Sequence, residues 1–99
     1  MASNRWQLFM FDKESFNIQK AFKLATQNHV NKKFEEAKKL YNKILKIKPD
    51  HANALNNLGE LFRAEGETKK AQLCYEKAIK ANPILASSYN NLGLVYKSN

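Results

Sequence analysis

The chain has 99 residues, which suits one small domain and leaves no room for a second, catalytic one. Its composition, 43% hydrophobic and 26% charged with three Gly and two Pro, is that of a globular, helix-prone chain and excludes a disordered or collagen-like one. The formal charge of +8 invites a polyanion, but of the 17 Lys and Arg residues only Arg5 and Arg63 carry the guanidinium fork that reads phosphates and bases bidentately.

The chain opens with an aromatic segment, 1–17, in which Trp6, Leu8, Phe9, Met10, Phe11 and Phe16 form a dense apolar cluster. Its longest apolar run is too short to cross a bilayer and lacks the small-residue cleavage site of a secretory signal. The segment is expected either to cap the helices that follow or to dock on a second copy through Trp6, Phe9 and Phe11. A lone cysteine, Cys74, cannot close an internal disulfide, so nothing requires an oxidising compartment and a cytoplasmic setting is expected.

From Ile18 onward the apolar residues recur at helical spacing. Leu55, Leu58, Gly59 and Phe62 fall at i, i+3, i+4 and i+7, and Ala71, Tyr75, Ala78 and Ile79 at i, i+4, i+7 and i+8. Pro49 and Pro83 disfavour helix at Lys48 and Asn82, Asp50 is expected to cap the helix after Pro49, and Thr68 the helix after Gly66. This spacing predicts helices near 16–30, 34–47, 52–65, 68–81 and 86–97.

Sliding the sequence by 34 residues superposes Leu24 on Leu58 and Leu92, Ala37 on Ala71, Tyr41 on Tyr75 and Pro49 on Pro83. The same shift lays Asn56-Asn57-Leu58-Gly59 on Asn90-Asn91-Leu92-Gly93, so the chain is an internal repeat of a helix-turn-helix unit. In the turn, Gly66 can take a positive φ. Lys32 stands at the equivalent place in the first copy, where a side chain costs about 1 kcal/mol relative to Gly.

These residues resemble the tetratricopeptide repeat: Leu55-x2-Leu58-Gly59-x2-Phe62, Ala71-x3-Tyr75 and Pro83 follow its pattern W-x2-L-G-x2-Y, A-x3-F and P. The resemblance implies an all-α helix-turn-helix solenoid of about two and a half repeats. These are 18–51, 52–85 and a half repeat, 86–99, with Tyr89-x2-Leu92-Gly93-x2-Tyr96. The first copy departs from the pattern at Ala25, where the later copies have Gly59 and Gly93, and at Asn28 and Lys32.

The resemblance also implies a non-enzymatic interaction scaffold, in which the first helix of each repeat lines a concave groove that holds an extended peptide. The groove candidates it supplies are Gln19, Phe22, Lys23 and Thr26, then Asn53, Asn56, Asn57, Glu60 and Arg63, then Ser87, Asn90, Asn91 and Leu94. Asparagine suits such a surface because its amide both donates to and accepts from a peptide backbone. Asn57 and Asn91 look like the asparagine ladder of O-linked N-acetylglucosamine transferase repeat domains, with Lys23 breaking it in the first repeat. Hydrogen bonding of the two between helices is the alternative. The family's carboxylate clamp for chaperone tails is matched only at Asn57, since Phe22, Thr26, Ser87 and Asn91 stand at its other positions, and chaperone-tail binding is not expected.

No catalytic constellation is visible. His29 and His51 have no Cys, His or carboxylate partner at metal-ligand spacing, and no metal or cofactor is expected. Two other functions stay open: a nucleic-acid surface on the convex lysines Lys32, Lys33, Lys38, Lys39, Lys43, Lys46 and Lys48, the less favoured partner class, or an interaction fragment of a larger repeat-containing enzyme. A homo-oligomer is also expected to be possible, with the last helix offering Leu94, Val95 and Tyr96 to a second copy.

Overall fold

The computed structural model describes residues 17–98, and Trp6, Phe9 and Phe11 lie outside them. Five helices follow one another: α1 (Ile18–Val30), α2 (Phe34–Ile47), α3 (Ala52–Ala64), α4 (Thr68–Ala81) and α5 (Ala86–Ser98). Each end lies within two residues of its expected position, and no strand occurs among the described residues. α1 pairs with α2 and α3 with α4, while α5 packs on α4 and α3 touches both α1 and α5. The architecture is an all-α helix-turn-helix solenoid of about two and a half repeats.

Small side chains set how closely the helices approach. Ala21, Ala25, Ala37 and Ala54 join Tyr41, Ile44, Leu58, Leu61 and Cys74 in one core, and Ala71, Tyr75 and Val95 form a second beneath α5. Gly59 is the tightest point: a Cβ there would meet Tyr75 Cε1 at 2.6 Å. Gly93, its equivalent on α5, has nothing among the described residues within 4 Å of the place a Cβ would take.

Backbone demands are met locally. Lys32 and Gly66 both take positive φ, 64° and 80°, so the first turn does place a lysine in the left-handed conformation. Asn17 Oδ1 accepts from Lys20 N at 3.1 Å and caps α1. At α3 the cap is His51 rather than Asp50. The helix begins at Ala52, so the flanking residue is His51, whose Nδ1 accepts from Ala54 N at 3.0 Å. Thr68 does not cap α4 either. It is the first residue of that helix, with Glu67 as the flanking residue and the Thr68 hydroxyl 3.3 Å from Gly66 O.

Val95 departs from the expectation of an open apolar face. It is fully buried against Ala71 and Tyr75, because α5 leans on α4 and so has one side already covered. Cys74 is also buried, and desolvation pushes its thiol up to about 11, which leaves a small apolar core residue rather than a nucleophile.

Candidate peptide-binding groove

α1, α3 and α5 lie in succession, so equivalent residues of the three form rows across one face. On it Asn53, Arg63 and Asn90 are exposed and Asn57 and Glu60 half-buried. Asn56 and Asn91 are not open to this face: they are 4% and 9% exposed. Asn56 Oδ1 accepts from Ser88 Oγ at 3.0 Å and from Asn91 Nδ2 at 3.1 Å, and Asn91 Nδ2 also reaches Glu60 Oε1 at 3.1 Å. Two of the expected groove asparagines therefore fasten α3 to α5.

Ser88 completes that network and was not among the sequence-derived candidates. A signal for it exists, since Ser88 falls 34 residues after Ala54, which is fully buried. A hydroxyl at a position that buries alanine in the previous copy needs an internal acceptor. No buried side-chain nitrogen or oxygen among the described residues lacks a partner.

Two buried tyrosines lie beneath the helix ends. Tyr41 Oη is 3.4 Å from His29 Nδ1, and Tyr75 Oη is 3.5 Å from Arg63 Nε, the same pairing one period apart. Burial raises both phenols above their ordinary value, opposed by the Asn57 side chain at Tyr41 and by Arg63 at Tyr75. Phe22 stacks on the His51 ring at 5.3 Å, and burial holds that imidazole below its usual value, in keeping with Nδ1 as an acceptor.

The lysines of α2 divide into two groups. Lys38 reaches Glu65 at 2.8 Å and Glu35 at 3.2 Å, tying α2 to the end of α3, and its ammonium is raised chiefly by the hydrogen bond to Glu65. Lys39, Lys43 and Lys46 with Asn42 instead line a shallow open depression. Among the described residues no group of three or more His, Cys, Asp and Glu could hold a metal ion, and no helix is long and apolar enough to cross a membrane. At the far end Tyr89, Leu94 and Tyr96 are about half exposed, 49%, 45% and 54%.

Residues 17–83 match the family model of the tetratricopeptide repeat. The chain belongs to the tetratricopeptide repeat family. Such repeats are protein–protein interaction modules. No curated protein matches the sequence. Among solved structures, MamA is similar at 25% identity and TM-score 0.77, over 82% of this chain and 47% of that one. The Sgt2 repeat domain from Aspergillus fumigatus is similar at 25% identity and TM-score 0.75, over 82% and 54%. The first repeat domain of Spaghetti (RPAP3), in a structure with an HSP90 peptide, shares the fold at 19% identity and TM-score 0.79, over 89% and 70%. The chain spans about half the length of the MamA and Sgt2 structures it matches.

Proposed function

We propose that this chain is a non-enzymatic interaction module, with repeats at 18–51 and 52–85 and a half repeat at 86–99, that holds an extended peptide along α1, α3 and α5. The observation that carries this reading is the division of labour among the asparagines. Asn56 and Asn91 are committed to fixing α3 against α5, whereas Asn53 and Asn90 are exposed on the same face and Asn57, half-buried beside Tyr41, is open to it in part. A rigid floor with exposed amides suits a peptide backbone, since each amide offers one acceptor and two donors. The ladder of Asn57 and Asn91 is thereby narrowed, because Asn91 is buried and has given its amino group to Asn56 and Glu60, which leaves Asn57 as its accessible rung. Membership of a family with a peptide-bound neighbour supports the class of partner.

Selection of a displayed random-peptide library against the chain tests this. Recovered peptides are expected to lose at least about tenfold in affinity on Asn53→Ala with Asn57→Ala, each such hydrogen bond being worth about 1 kcal/mol. Peptides that bind the double variant as well as the parent would remove the groove from the reading.

The empty place beside Gly93 favours a second reading, self-association through the α5 end. Tyr89 and Tyr96 expose apolar rings there, and Lys97 is the only charged residue on α5, so two copies can approach without opposing lysine rows. A dimer in sedimentation at high micromolar concentration that dissociates on Tyr96→Asp is expected. A monomer throughout rejects it.

A further inference from the structure

The 34-residue period places His29, Arg63 and Lys97 in one row, in the last turns of α1, α3 and α5. The two members with a following helix meet the same group, His29 Nδ1 at Tyr41 Oη and Arg63 Nε at Tyr75 Oη. The tyrosine thus engages one edge of the Arg63 guanidinium, and no carboxylate among the described residues pairs with Arg63 or Lys97. Lys23 adds a further exposed cation on α1. Glu60 is the one acid among the groove candidates, and it already accepts from Asn91 at 3.1 Å.

Uncharged amides grip any backbone, so they give affinity without choosing a sequence. Arg63 and Lys97, cations with no carboxylate partner among the described residues, add that choice beside them. We propose, resting on the groove reading above, that the peptide is acidic: an extended segment with carboxylates about three residues apart, paired to Arg63 and Lys97 and passing His29. The spacing follows because packed helices stand about 8 to 10 Å apart and an extended chain advances about 3.3 Å per residue. Arg63 is the specifying member, since its fork takes a carboxylate through two parallel hydrogen bonds. Lys97 contributes a point charge, and the net +8 draws the ligand in.

Fluorescence anisotropy on the full chain tests the assignment with two labelled peptides, one bearing glutamate at every third position and the other glutamine. At about 50 mM salt the glutamate peptide is expected to bind at least about tenfold tighter, a preference that shrinks as salt rises. Arg63→Gln with Lys97→Gln is expected to erase most of that preference with helicity by circular dichroism unchanged, while Asn53→Ala with Asn57→Ala weakens both peptides alike. Equal binding of the two peptides, or a preference that survives Arg63→Gln with Lys97→Gln, overturns the acidic assignment and leaves the groove reading standing. Loss on Lys39→Gln with Lys46→Gln instead would give the charge to the α2 depression and also overturn it. If neither peptide binds, the acidic assignment fails, and the display selection decides the groove separately.

Discussion

The second helix pair and the lone α5 start from the same residues and end in different environments. Leu58-Gly59 on α3 and Leu92-Gly93 on α5 are identical in sequence, yet Gly59 is pressed by the Tyr75 ring and Gly93 faces open space. The motif by itself creates a seat. Whether the seat is filled depends on the next helix, which in this family's pattern supplies the aromatic ring. The first pair shows a third state, with Ala25 fully buried at the same position, so the contact between α1 and α2 accommodates a Cβ that α3 and α4 as placed do not.

Alanine at the two glycines gives the largest contrast. Gly59→Ala is expected to cost up to about 3 kcal/mol by forcing α3 and α4 apart, the usual scale of overpacking. Gly93→Ala should gain about 0.5 to 1 kcal/mol, because nothing opposes the better helix former. Thermal denaturation of both variants checks this. Changes of the same sign would show that the seat beside Gly93 is filled in solution.

Asn56→Ala comes next, at about 2 kcal/mol, because it strands the buried Ser88 hydroxyl and one bond of the Asn91 amide. Asn53→Ala, on the exposed side of the same helix, should stay within about 0.5 kcal/mol. Urea unfolding of the pair separates the fastener from the accessible amide, and equal costs would contradict the division between them.

The turns give a smaller contrast. Lys32→Gly should stabilise by about 1 kcal/mol and Gly66→Lys should destabilise by a similar amount, since both positions have positive φ. Scanning calorimetry of the two variants would show shifts of opposite sign.

The smallest effect concerns the α3 cap. The His51 imidazole is held below its ordinary value of 6.5 by burial, so the folded chain binds its proton less readily than the unfolded chain. Its contribution to stability is therefore complete above about pH 6.5 and lost as pH falls through the lower folded value. His51→Asn keeps a capping oxygen without a titrating group and should flatten stability against pH in that window. An unchanged slope would mean that His51 does not cap in solution.

Much of this was legible in the sequence because the repeat states each constraint more than once. Leu58, Tyr75 and Pro83 each have partners one period away, so the helices could be placed to within two residues, and the left-handed turn at Lys32 followed from its alignment with Gly66. The roles of Asn56 and Asn91 could not. A period tells which residues share a row but not how far the next helix leans over it, and α5 leans far enough to enclose both amides and Val95. Asp50 against His51 was a matter of one residue, below the resolution at which helix starts can be read from a pattern.

The single carbonyl oxygen of Asn56 receives both Ser88 and Asn91, and that shared acceptor bears on how the array comes apart. Moving that carbonyl away removes both bonds at once and leaves Asn91 only its bond to Glu60, so the polar hold of α3 on α5 rests largely on one side chain. Amide hydrogen exchange along α5 should report one opening event, with its amides exchanging together ahead of those in α2 and α3, as nearest-neighbour coupling in a linear repeat array requires.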